Sequence, residues 1–284
     1  MIRGDAEELP HPGSLPVVVA SSSPLAVADV IVDDDTIDTL LAAIARSPLA
    51  ATSLAVLLRG IEHVDVETAL AMESAVYSTL QAGPEFAAWK ATATYRPHRD
   101  RAAIVLSDRV GDRLEITLDR PQRHNAINAR LRDELCAALA VAIIDDSITA
   151  VELRGNGPSF CSGGDLAEFG SRSDPATAHT IRLTRSPARM IHRLRTRTTA
   201  YIHGSTLGGG IEIAAFADRV VAHHDTVIAL PELALGLIPG AGGTVSLTRR
   251  IGRQRTAHLA ITGSTIDASV AKSWGLIDDI CDRD

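Results

Sequence analysis

Residues 204–244 read GSTLGGGIEIAAFADRVVAHHDTVIALPELALGLIPGAGGT. The stretch holds two glutamates. Glu212 follows the triple glycine Gly208-Gly209-Gly210, and Glu232 follows Pro231 ahead of an apolar turn ending in PGAGG. A random glutamate is most often a solvated surface charge. These two sit in the apolar contexts IEIAAF and ALPELAL, which predicts burial and either a shifted pKa or an ion pair, Arg219 and Arg249 being the candidate partners. Two carboxylates so placed point to an acid and a base working on one substrate. A glycine triplet at a helix start exposes backbone N–H groups that could hold a developing oxyanion, although close helix packing would use the same residues.

The chain around this stretch has 284 residues, 45% hydrophobic, enough for one large or two smaller domains with a sizeable core. A net charge of −7 and an aromatic content of 3% argue against nucleic-acid binding. Cys136, Cys161 and Cys281 are far apart and form no CxxC pair, so neither a zinc site nor a disulfide framework is expected, and a cytoplasmic setting fits. No signal peptide or membrane span is expected, because the apolar run over 17–32 is broken by Ser21, Ser22, Ser23, Pro24 and Asp29.

The hydrophobic period divides the chain. Residues 1–35, with four prolines and the Asp33-Asp34-Asp35 run, read as an irregular segment. Residues 36–92 read as a helical module. Leu40, Leu41 and Ile44, then Leu54, Leu57 and Leu58, recur at helical spacing. Ser47-Pro48 opens a helix, and a third helix over 66–81 stops at Gly83-Pro84. Residues 93–101, polar and containing Pro97, read as a linker. Residues 102–284 alternate strands (102–106, 114–118, 150–153, 200–202, 219–222, 227–230) with helices (128–144, 181–194). That alternation predicts an α/β fold with mostly parallel pairing.

A second glycine turn, GNGPSFCSGGDL over 155–166, lies between a strand and a helical turn. There the Gly164 N–H can face a ligand and Asp165 can cap the next helix, although a plain tight strand-to-helix turn would use the same glycines. The arginines at 182, 185, 189, 193, 195 and 197 read as a solvated face, a few of them available to a phosphate. His203 reads as a packed, hydrogen-bonded residue. No GxSxG elbow is present, so a serine hydrolase fits poorly.

Five blocks together resemble the enoyl-CoA hydratase/isomerase family, the crotonases. They are LDRPQRHNAIN (118–128), GPSFCSGGDL (157–166), GSTLGGGIE (204–212), LPELALGLIPGAGGT (230–244) and AKSWGLID (271–278), in matching order and spacing. The resemblance implies a crotonase-like ββα superhelix core. It also implies an acyl-CoA lyase that hydrates 2-enoyl-CoA to 3-hydroxyacyl-CoA in fatty acid metabolism. By motif, Gly164 and Gly209 match the oxyanion-hole N–H groups, and Glu212 and Glu232 match the two glutamates around one water. His124, Asn125 and Ala126, with Asp165 and Leu166, match the segment that holds pantetheine and adenine. The resemblance implies no metal and no cofactor beyond the CoA of the substrate, and a homotrimer or dimer of trimers. Isomerisation, thioester hydrolysis and non-catalytic acyl-CoA binding are the alternatives.

The chain departs from the family pattern in two ways. Ser205-Thr206-Leu207 is bulkier than usual before the glycines. The helices that normally follow the GLID block are missing, whereas residues 36–90 look like them. A circular permutation is therefore expected, with the module still covering the acyl pocket and Lys90 within reach of a CoA phosphate.

Overall fold

The computed structural model describes residues 20–21, 25, 27–32, 36–95, 98, 100, 102–171 and 174–282. The irregular segment expected over 1–35 falls mostly outside them, as does part of the linker, Pro97 included. Two short strands, β1 (Ala20–Ser21) and β2 (Val30–Ile31), precede four helices: α1 (Ile37–Arg46), α2 (Pro48–Ile61), α3 (Val66–Gln81) and α4 (Pro84–Thr92). There follow β3 (Val105–Val110), β4 (Arg113–Leu118), α5 (Ala129–Ile144), β5 (Ala150–Gly155), α6 (Pro175–Thr184) and α7 (Pro187–Arg193). The chain continues through β6 (Thr198–Ile202), β7 (Ser205–Leu207), α8 (Gly209–Ala214), β8 (Arg219–His223) and β9 (Val227–Ala229). It closes with α9 (Gly243–Ile251), α10 (Arg253–Thr262), β10 (Ile266–Asp267), α11 (Ala268–Trp274) and β11 (Asp279–Cys281).

Six strands form the main sheet in the order β11-β8-β6-β5-β4-β3, all parallel except the β3–β4 hairpin. A smaller sheet, β10-β9-β7, carries the glycine-rich turn into α8. On β4, Leu114, Ile116 and Leu118 are buried while the residues between them are partly exposed, the alternation of a strand covered more fully on one face. The first core strand lies at 105–110, not at 102–106. Its residues pair with β4 from Val105↔Leu118 to Val110↔Arg113, leaving Gly111-Asp112 as a two-residue turn. VLSDRV is mostly exposed on this sheet edge, so its polar residues hid it from a hydrophobic reading.

The helix expected over 181–194 is two helices. Pro187 disfavours helical geometry at Ser186, and Ser186 instead caps α7 by accepting from Arg189 N–H. Asp174 caps α6, accepting from the N–H groups of Ala176 and Thr177. Asp174→Ala is expected to speed amide exchange in α6 severalfold and to leave α5 and β5 unchanged, as read by hydrogen-exchange mass spectrometry.

The four N-terminal helices pack onto the core. Leu54, Leu58 and Ile61 of α2 are fully or almost fully buried, each worth about 2 kcal/mol of apolar transfer. Polar ties reinforce the packing. Asp29 pairs with Arg59 at 2.5 Å and with Arg253 of α10 at 3.5 Å. Arg249 of α9 donates to the Val64 carbonyl at 2.7 Å. No single helix among the described residues is long and apolar enough to cross a membrane. The apolar pair α1 and α2 bends by 109° between Arg46 and Pro48.

Candidate active site

Two sharp turns meet beside the smaller sheet. In the first, the Gly163 carbonyl accepts from Ile127 N–H at 2.7 Å and Asp165 N–H donates to the Ile127 carbonyl at 2.9 Å. These two bonds turn the intervening Gly164 N–H away from Ile127. In the second, Gly208 has φ 44° and ψ −123°, a conformation open essentially to glycine alone. A Cβ built on Gly208 would stand 2.1 Å from Glu232 Oε1, so the bare backbone also admits that carboxyl. Gly209 then begins α8, where the first N–H groups have no intrahelical acceptor. Gly164 and Gly209 both line a cavity of about 250 Å³, together with Glu212, Glu232, Tyr77, Ile127, Phe169 and Ala241.

The two glutamates are buried in different surroundings. Glu212 Oε2 accepts from Ala241 N–H at 2.7 Å and Gly243 N–H at 2.8 Å. Burial raises its pKa to about 7, against the lowering effect of those two bonds. Glu232 Oε2 is buried and has no hydrogen-bond partner among the described residues. Burial, then the Glu212 charge, push its pKa well above the usual carboxylate range. Neither glutamate pairs with Arg219 or Arg249 among the described residues. Arg219 pairs with Asp279 at 3.1 Å, and Arg249 donates to the Val64 carbonyl.

A third buried carboxyl, Glu73 on α3, reaches the same turn. Its Oε1 accepts from Gly242 N–H at 2.7 Å, and its Oε2 from Thr244 N–H at 3.0 Å and the Thr244 hydroxyl at 2.6 Å. The N–H groups of residues 241–244 therefore alternate between Glu212 and Glu73. Burial, then the Glu212 charge, raise Glu73 to about 8. Its sequence signal was its place on the helix: Val66, Ala69, Leu70, Glu73 and Tyr77 form one buried stripe.

The remaining expected site residues divide. Asp165 lines the cavity but spends its carboxylate on Arg120 Nη1 at 2.8 Å and Ala167 N–H at 3.1 Å. A string of turns follows it, so it caps no helix. Arg120, fully buried, also grips Asp100 at 2.9 Å and the Ala126 carbonyl at 2.9 Å, fixing the Gly164 turn from behind. Asn125 is a structural clip. Its amide donates to the carbonyls of Asn156, Ser159 and Phe160, and its Oδ1 accepts from Arg120 N–H. His124 Nδ1 lies 2.8 Å from Ser159 Oγ. His124, Asn125, Ala126 and Leu166 stay outside the cavity wall, which runs through Ile127, Asn128 and Ala129. Lys90 donates to the Phe169 carbonyl, a cavity-wall residue. His203 packs as expected, its Nε2 3.0 Å from the Gly157 carbonyl.

Comparison with known proteins places the part of the chain that holds most of this cavity in one family. The enoyl-CoA hydratase/isomerase profile matches residues 113–284, and the chain belongs to that family. It is 38% identical over 174 residues to the enoyl-CoA isomerase/hydratase fer4 of Mycosarcoma maydis, covering 58% of this chain and 64% of the relative. The chain thus spans just under two thirds of that relative's length. The solved enoyl-CoA hydratase of Thermoplasma volcanium superposes with a TM-score of 0.59 at 34% identity, over 64% of this chain and 73% of the other. That of Bacillus anthracis superposes with a TM-score of 0.58 at 31% identity, over 63% and 70%. The fold is crotonase-like. The profile match begins at residue 113 and so gives no support to reading residues 36–92 as a permuted module.

Proposed function

We propose that the protein is an enoyl-CoA hydratase, adding water across the double bond of 2-enoyl-CoA thioesters to give 3-hydroxyacyl-CoA. The observation that carries this reading is the pair Glu212 and Glu232 lining one cavity, in different surroundings, together with the glycines Gly164 and Gly209. The thioester oxygen sits between the N–H groups of Gly164 and Gly209, where charge grows as the enolate forms. Glu212, anchored by two N–H groups, is the carboxylate that takes a proton from water as its oxygen bonds to C3. Glu232, whose unpartnered oxygen favours the protonated form, gives its proton to C2. Environments that push two carboxyl pKa values apart assign the base and the acid.

Double-bond isomerisation, the nearest alternative, needs one group to carry a proton between carbons and no water. Incubation with crotonyl-CoA, followed by loss of enoyl-thioester absorbance and mass spectrometry of the product, tests the reading. A product heavier by one water is expected. Free CoA as the only product, or turnover confined to 3-enoyl-CoA, would overturn it.

A further inference from the structure

Part of the cavity wall is polar in a way that hydration does not require. Arg182 of α6 and Tyr77 and Gln81 of α3 all line it. The Arg182 guanidinium lies 4.6 Å above the Tyr77 ring and is held from behind by two hydroxyls, Ser74 Oγ at 3.1 Å from Nε and Ser78 Oγ at Nη2. Nη1 makes no hydrogen bond among the described residues, and neither does the Tyr77 hydroxyl or the Gln81 amide. Arg182 also has no carboxylate within ion-pair distance among the described residues. The next two arginines of the run do: Arg185 meets Asp133 at 2.6 Å and Arg189 meets Glu67 at 2.5 Å. Glu73, the α3 carboxyl that acts on Arg182, spends both oxygens on the turn at 242–244. A half-buried cation without a counter-ion is costly unless a ligand supplies one.

We propose that Arg182, with the Tyr77 hydroxyl and the Gln81 amide, binds a carboxylate at the far end of the acyl group, so that the substrates are thioesters of dicarboxylic acids. This rests on the acyl-CoA reading above and narrows it. Ser74 and Ser78 fix the plane of the guanidinium, and the Tyr77 ring supports its face. Nη1 is then presented as a donor to one carboxylate oxygen, with the phenol as a second donor. The aliphatic part of the acyl group lies along Ile127, Ala178 and Ile181 of the same wall. The same guanidinium could be offered to a phosphate of CoA, the other anionic source, and the test separates the two.

Adipyl-CoA and hexanoyl-CoA have acyl chains of equal length and differ only in the terminal carboxylate. Calorimetry with both saturated ligands measures binding without relying on turnover. Adipyl-CoA is expected to bind about 10- to 100-fold more tightly, the worth of one or two hydrogen bonds to a charged group. In Arg182→Met that preference should vanish, and Arg182→Lys should restore part of it. Equal affinities in the wild type would overturn the proposal while leaving the acyl-CoA reading intact. An equal weakening of both ligands in Arg182→Met would also overturn it, because it would place Arg182 on a CoA phosphate or in the tie between α6 and α3. Failure of both ligands to bind the wild type at all would overturn the acyl-CoA reading and this proposal together.

Discussion

Replacing Glu212 with glutamine is expected to lower kcat for 2-enoyl-CoA hydration by about 10²- to 10⁴-fold, the usual worth of a positioned acid or base, with little change in acyl-CoA affinity. The substitution is mild structurally. One oxygen of Glu212 accepts both N–H groups, from Ala241 and Gly243, and the glutamine carbonyl can keep both bonds. What is lost is the second oxygen, the one free to take a proton from water. Glu232→Gln should fall by a similar factor for the opposite reason. An amide copies the shape of a protonated carboxyl but has no proton to give to C2. The two changes act on one water and one transition state, so the double variant should be scarcely slower than either single one.

The pH dependence follows from the same pair. In the proposed hydration Glu212 is a base only when ionised, so activity should rise through about pH 7, where its raised pKa lies. Glu232 acts as an acid only while protonated, so activity should fall again at higher pH. The two limbs belong to the coupled pair and not to either residue alone. Initial rates across pH, with binding of a saturated acyl-CoA measured alongside, check both statements. Either single variant retaining more than about a tenth of wild-type kcat would remove that glutamate from the chemistry.

Local chemistry was the part of the site that the sequence made legible. Glu212, Glu232, Gly164 and Gly209 stand in short motifs whose apolar or glycine neighbours already imply burial or exposed N–H groups. Contacts that cross the chain were not legible. Glu73 meets its turn across 169 and 171 residues, and nothing local says which surface its helix will face. The arginine run shows the same limit from the other side. Arg182 and Arg185 lie three residues apart on and just beyond one helix, but α3 passes over the first and leaves the second at the surface. The break at Ser186-Pro187 was available from proline chemistry alone, and the apolar spacing across it masked the stop. The edge strand β3 carried no apolar alternation because only its first residue, Val105, packs against the core.

Glu73 also gives the second large effect. Glu73→Ala leaves the N–H groups of Gly242 and Thr244 and the Thr244 hydroxyl buried without an acceptor. It also loosens the tie between α3 and the turn that orients Glu212. At about 1–3 kcal/mol for each stranded polar group, partly relieved by relaxation, the expected loss is about 3–5 kcal/mol in urea unfolding. Glu73→Gln keeps one acceptor oxygen and separates charge from shape. The folded-state pKa of Glu73 is raised from 4.5 to about 8 by burial and by the Glu212 charge, so the folded protein holds this proton more tightly than the unfolded chain does. Stability from this group is therefore fully present below about pH 4.5 and is lost as pH rises toward about 8. Glutamine removes that titration. The stability gap between wild type and Glu73→Gln should accordingly narrow as pH rises through this window, and a gap that widened would mean that the ionised carboxylate is the stabilising form. Near pH 7, where Glu212 ionises, Glu73 is still mostly protonated, so Glu73→Gln should leave the acid limb of the rate profile in place. The other charged or titratable groups around this cluster among the described residues are Glu232, Tyr77, Arg182 and Cys161, and all are unchanged in the variant. A helix that only braced the turn would change the rate without moving that limb. A displaced limb would make α3, and with it the N-terminal helical module, part of the acid–base machinery.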